Sequence, residues 1–171
     1  MIKVFVLEGE LLYNGFVSEL IIQNSDIILR LVTAVAFGML IGAERILVHK
    51  EAGMKTHALV SMGSAVFVLV SEAIVQKYIN LPGLNPTMIP AQIIVGIGFL
   101  GAGSIMLQGS RLLGLTTAGG LWVTASIGMA AGFGLFGLAF ISMVLVLIIF
   151  VVINILEKPI RKISDNINKT D

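Results

Sequence analysis

The chain has 171 residues, 57% of them hydrophobic and only 12% charged, and its mean hydropathy is +1.01. That is far more apolar than a soluble domain of this length, and it reads as a membrane protein surrounded by the lipid bilayer. A formal net charge of +1 leaves no basic excess to neutralise a row of nucleic-acid phosphates, and the absence of cysteine removes disulfides and thiolate sites together.

Residues 1–26 open with Lys3 and a short apolar run, but Glu8 and Glu10 follow at once and no small-residue cleavage site ends it. This stretch is expected to be an extracytoplasmic segment, with an amphipathic surface helix as one form it can take. A helix crossing the hydrocarbon core needs ~20 mostly apolar residues. Five such spans are expected, at about 27–43, 57–75, 91–107, 115–132 and 137–156. Asn24, Ser25 and Asp26 open the first as capping residues, Glu44 and Arg45 close it, and Arg30 lies within snorkelling reach of headgroups. The stretch "LPGLNPTMIP" between the second and third holds three of the four prolines and reads as a loop, with Pro90 suited to a helical first turn. No charged residue occurs from Leu115 to Leu156, which leaves room for two spans, and Gly132, Gly134 and Gly137 mark the turn between them. Helix and membrane are expected to stop together at Glu157-Lys158-Pro159, leaving 157–171 as a short cytoplasmic tail.

Five spans put Arg45, Lys50, Lys55, Arg111, Lys158, Arg161, Lys162 and Lys169 on one side and Lys3, Arg30 and Lys77 on the other. Because Lys and Arg accumulate in cytoplasmic loops, the N-terminus is expected outside and the C-terminus in the cytoplasm. The fold class expected is an all-α bundle of five transmembrane helices, multi-pass in a plasma membrane. A four-span arrangement divides the basic groups more evenly and leaves a long apolar stretch unexplained.

The stretch "GIGFLGAG", residues 96–103, has the GxGxxG spelling of a dinucleotide-binding loop. It lies inside an expected span, and no acidic residue between Glu72 and Glu157 is present to hold a ribose, so no cofactor is expected. Small residues have another use in a bilayer: lipid gives helices no hydrophobic reason to associate, so close backbone approach supplies the packing. Gly38 with Gly42, and Gly128 with Gly132, have GxxxG spacing, and Gly96, Gly98, Gly101, Ala102 and Gly103 crowd the third span. These predict a third helix central in the bundle. The alternative is a helix broken at its glycines that offers carbonyls to an ion.

Three runs, "LIGAERILVHKEAGMKTHALVSMGSAVFVLVS" from Leu40, "AQIIVGIGFLGAGSIM" from Ala91 and "GLTTAGGLWVTASIGMAAGFG" from Gly114, are similar in order and content to the MgtC/SapB family of bacterial inner-membrane proteins. The resemblance covers roughly residues 27–155. It implies a five-helix domain linked to growth in low magnesium and to survival of pathogens inside host cells. It further implies a regulator that acts on the rotary ATP synthase, with magnesium or other cation transport as the alternative. Many members add a cytoplasmic ACT-like domain, and with only residues 157–171 after the last span none is expected here. The chain has Lys55-Thr56-His57 where the family usually has Arg-Thr-His, and Asn85 and Met88 where it usually has an acidic residue and an arginine.

Candidate functional residues are Glu44, Arg45, Lys55, Thr56, His57, Gln92, Arg111, Thr116, Thr117 and Trp122, with none expected to be catalytic or to bind metal. Glu44 opposes the negative end of its helix, so it needs either a solvated interfacial pair or a buried partner such as Lys55 or Arg111. His57 is read as a hydrogen-bonding or pH-sensitive residue, or as an ordinary interfacial histidine. Gln92 is costly in lipid and is expected to face another helix, whereas threonines in a span commonly satisfy their own backbone. Arg111 is explained by topology alone. Nowhere do a nucleophile, a base and an orienting acid fall at recognisable spacing, so no enzyme is expected. The expected partners are a membrane protein and, through exposed GxxxG faces, a second copy of the chain.

Overall fold

The computed structural model describes residues 24–79, 85 and 87–167, with side chains through Glu157. The expectation for residues 1–26 therefore falls almost wholly outside the described residues. Five helices are present: α1 (Ser25–Leu47), α2 (Met54–Lys77), α3 (Met88–Gly103), α4 (Leu115–Gly132) and α5 (Phe136–Ile167). A two-stranded antiparallel hairpin, β1 (Met106–Gln108) and β2 (Arg111–Leu113), joins α3 to α4. Three helical stretches, Ser25–Leu47, Met54–Lys77 and Phe136–Glu157, are long and apolar enough to cross a membrane.

The third helix departs from its expected bounds. It begins at Met88, where Asn85 Oδ1 accepts hydrogen bonds from the Thr87 backbone N–H (2.9 Å) and hydroxyl (2.7 Å), and it ends at Gly103 rather than at Leu107. Its 16 residues span only ~24 Å at 1.5 Å per residue. The fifth helix does not stop at Glu157 but runs through Pro159 to Ile167. Proline removes one helical hydrogen bond, and a carbonyl freed beyond the hydrocarbon is solvated at small cost, so the helix survives there.

The centre of the bundle is α4, which touches each of the other four helices, and the expectation of a central third helix is not met. Ten of the residues of α4 are buried, most of them small, whereas α3 buries only Pro90, Ile97 and Gly101 and packs on α2 and α4 alone. Close approach needs small residues at the points where backbones meet, and those on α4 lie there. A Cβ built on Gly128 would overlap the Ser61 carbonyl, and one on Gly132 would stand 2.8 Å from Ala65 Cα. Gly38 and Gly42 of α1 do the same against His57 and Met54. The main core joins Ala34 and Ile41 of α1, Ala65 of α2, Ile127 and Ala131 of α4, and Ala139 and Met143 of α5. Phe37 and Phe140 add a tilted ring pair 6.1 Å apart.

The turn between α4 and α5 falls where the glycines suggested. Gly134 has φ +72°, and Leu135 N–H reaches back to Ala130 O at 2.9 Å, closing the end of α4.

Candidate functional site

Four helices converge on one buried polar junction. Arg45, in the last turn of α1, is 2% exposed, and Glu44 beside it is 8% exposed. The Arg45 guanidinium donates to the Glu44 carboxylate, and its carbon lies 3.5 Å from the centroid of the Phe150 ring of α5. Glu44 thus has a buried partner, and it is its own neighbour rather than Lys55 or Arg111. A guanidinium held against a carboxylate and the face of an aromatic ring has its charge answered on two sides.

Phe150 is admitted by the absence of a side chain on α4. A Cβ on Gly120 would be 3.2 Å from Phe150 Cζ and 3.5 Å from His57 Cε1. His57, in the first turns of α2, is fully buried, with Nδ1 2.7 Å from Thr124 Oγ1. Thr124 Oγ1 donates to Gly120 O at 2.8 Å. His57 Nδ1 and Thr124 Oγ1 share one hydrogen bond whose direction follows the imidazole tautomer. Among the described residues, His57 Nε2 and Ser61 Oγ, one helical turn apart and both fully buried, have no hydrogen-bond partner. The junction holds an ion pair and a buried imidazole where the ends of α1 and α2 meet α4 and α5.

A second polar junction occupies the opposite end, and the sequence reading did not find it. Arg30 of α1 donates to Glu72 Oε2 of α2 (2.8 Å) and to Gly132 O at the end of α4 (2.9 Å), with Asp26 Oδ2 2.8 Å from its Nε. The guanidinium therefore meets a carbonyl at the end of α4, a carboxylate one turn earlier on α1 and another on α2. The signal available was that Arg30 and Glu72 are charges set inside two adjacent spans at the same expected end.

The remaining candidates lie elsewhere. Lys55, Thr56, Thr116, Arg111 and Trp122 are exposed, and Thr117 is buried. Thr56 and Thr117 share an open cleft of about 380 Å³ with Glu51, Ala52 and Ser104, which places the α1–α2 corner and the α3–hairpin–α4 junction on one side of the bundle. Gln92 is exposed and lines an apolar groove of about 490 Å³ between α2 and α3, with Gly63, Phe67, Gly96, Ile97 and Leu100. The glycines divide into two groups. Gly38, Gly42, Gly128 and Gly132 face neighbouring backbone, and Gly101 is in ordinary contact with Ala118, whereas Cβ atoms on Gly63, Gly96, Gly98 and Gly103 would meet open space. Among the described residues no three His, Cys, Asp or Glu side chains come together as a metal site.

The model of the MgtC family matches residues 31–159, a stretch that holds Arg45, His57, Gly120, Thr124 and Phe150. The chain belongs to the MgtC family. Its relatives include YhiD of Escherichia coli (strain K12), named as a candidate magnesium transporter, which is 40% identical over 129 residues. Protein MgtC of Salmonella typhimurium (strain 14028s / SGSC 2262) is 44% identical over 120 residues, and slr0014 of Synechocystis is 40% identical over 124. These alignments take in 74%, 70% and 72% of this chain and 60%, 49% and 50% of the respective relatives, so the match spans about half the length of those proteins. No solved structure matches. Family membership and three helices of membrane-crossing length make this MgtC-family chain a membrane protein.

Proposed function

We propose that this MgtC-family chain is a non-enzymatic regulator of the bacterial inner membrane that acts by binding another membrane protein. All five helices span the bilayer in this reading, with the Glu44–Arg45–His57 junction at the cytoplasmic end and Arg30 at the outer end. The observation that carries it is the face of α3. Nothing lies within 4 Å of a Cβ built on Gly96, Gly98 or Gly103, and Gly96 lines a 490 Å³ apolar groove, while Gly38, Gly42, Gly128 and Gly132 are filled by the chain's own helices. Small residues without a neighbour let a foreign helix come as close as the bundle's own helices do. The target implied by the family resemblance is the rotary ATP synthase, in adaptation to low magnesium.

The test is ATP-driven proton pumping in inverted membrane vesicles from cells with and without the protein, with passive leak and synthase content measured alongside. Pumping depressed at equal leak and content, and restored by Gly98→Leu, is expected. Unchanged pumping removes the reading. A cation transporter is the second reading, favoured by the name given to YhiD. Purified protein in liposomes would then carry a magnesium flux that Glu44→Gln abolishes.

A further inference from the structure

The hairpin between α3 and α4 combines two features that no single solvent satisfies. Its side chains are apolar: Met106 is paired with Leu113 and Leu107 with Leu112, and Leu107 is 70% exposed. Because successive residues of a strand face opposite ways, one pair stands on each face, so turning the hairpin over hides neither. Yet its backbone is open. The strands bond to each other, their substantial contacts are with each other, and among the described residues no other element supplies a backbone hydrogen bond to their outer edges. Hydrocarbon would leave those edge N–H and C=O groups unpaired, which a bilayer core does not tolerate. Bulk water would pair them but leave four large apolar side chains exposed together.

The tip adds a third feature. The last pair is polar, Gln108 opposite Arg111, and Gly109 and Ser110 make the turn, with φ +63° at Gly109. Polarity therefore rises along the hairpin from its base, where α3 ends and α4 begins, to a tip that carries an exposed cation. The headgroup boundary of the bilayer has the same gradient, with water for the backbone edges, acyl chains for Met106, Leu107, Leu112 and Leu113, and phosphate for the guanidinium.

We propose that this hairpin is an interfacial anchor that lies in the headgroup boundary, its leucines dipped into the acyl layer and Arg111 on a lipid phosphate. It fixes the depth of the end of α3, which packs on α2 and α4. The inference rests on the chain being a membrane protein and is independent of what the chain regulates.

The chain has no cysteine, so single-cysteine variants carry spin labels without background. Leu107→Cys, Leu112→Cys and Ser110→Cys are labelled in the full chain, reconstituted in phosphatidylcholine vesicles with and without phosphatidylglycerol. Collision rates with oxygen, which concentrates in lipid, and with a water-soluble nickel chelate are then compared. The expected result is an oxygen-to-nickel ratio at 107 and 112 several-fold above that at 110. Phosphatidylglycerol should raise it further, and Arg111→Gln should abolish that rise. Ratios at 107 and 112 equal to that at 110 would place the hairpin in water and overturn the proposal. So would labels shielded from both reagents, which would mean a protein covers it. A ratio insensitive to phosphatidylglycerol would overturn the role of Arg111. Two apolar positions on opposite faces keep the test valid if one variant folds poorly.

Discussion

Replacing Gly42 and Gly98 separately by alanine distinguishes glycines that pack the bundle from glycines that face outward. At Gly42 the new Cβ would lie 2.5 Å from Met54 Cα and 2.7 Å from the Gly53 carbonyl carbon, all backbone that no rotamer change can move aside. Carbon atoms rest at ~3.5–4.0 Å, so the corner between α1 and α2 must open by ~1 Å. Overpacking of that size costs ~1–3 kcal/mol. Taking ~2 kcal/mol and a chain of this size, Tm falls by roughly 4–8 °C. At Gly98 nothing lies within 4 Å of the new Cβ. Alanine there removes glycine's disadvantage in a helix, up to ~1 kcal/mol, so Tm should hold or rise. The assay is thermal unfolding of the purified protein in one detergent, followed by size-exclusion chromatography of heated samples. Equal Tm for Gly42→Ala and the parent, or a comparable fall for Gly98→Ala, would refute the division between the two sets.

Thr124→Val removes the hydrogen-bond partner of His57 Nδ1 in a fully buried site, and an unpaired buried group costs ~1–3 kcal/mol; denaturation should show that loss, and Thr124→Ser should recover most of it. Arg45→Met leaves the Glu44 carboxylate buried alone, a loss of ~3–5 kcal/mol when a buried pair is broken on one side. The double variant Glu44→Leu/Arg45→Met should be more stable than Arg45→Met, and a double variant no better than the single would show that Glu44 needs no partner. Arg30→Met and Glu72→Gln in a double-mutant cycle should couple by ~0.5–1 kcal/mol, the low value reflecting a partly exposed pair. Their effects adding without coupling would mean that Arg30 acts on the α4 end alone.

Hydropathy located the helices because each must present an apolar surface nearly all round, a signal that survives without any knowledge of neighbours. It could not separate Met106 and Leu107 from the helix before them, since apolar residues of a hairpin and of a helix read alike until Gly109 and Gly114 are taken as turn points. Gly114 illustrates what was legible but unused. Its φ of +88°, with Ser104 O where a Cβ would project, requires glycine at the base of the hairpin. The glycines at GxxxG spacing on α1 and α4 are ones at which a Cβ would meet neighbouring backbone. Glycine abundance alone pointed wrongly to α3, because a sequence does not tell a glycine that meets a neighbour from one that meets none. The polar junctions were half legible: Glu44, Arg45 and His57 stood out as charge or imidazole at span ends. Phe150 and Gly120 did not, being an apolar residue in an apolar run and one glycine among 19.

The Arg30–Glu72 ion pair and the Arg30–Gly132 and His57–Thr124 hydrogen bonds tie α1, α2 and α4 to one another. Helices α1, α2 and α4 are riveted at both ends, by Arg30 on one side and by the Arg45–His57 junction on the other, and α5 is held at one end by Phe150 under the Arg45 guanidinium, while α3 rests on α2 and α4 through apolar and small residues such as Ile93, Ile97 and Gly101. Such contacts have no preferred register beyond shape, so sliding or tilting this helix exchanges one apolar neighbour for another and leaves every rivet intact. The bundle is in effect a rigid frame carrying one loosely seated slat, and the slat is the helix whose glycines face outward.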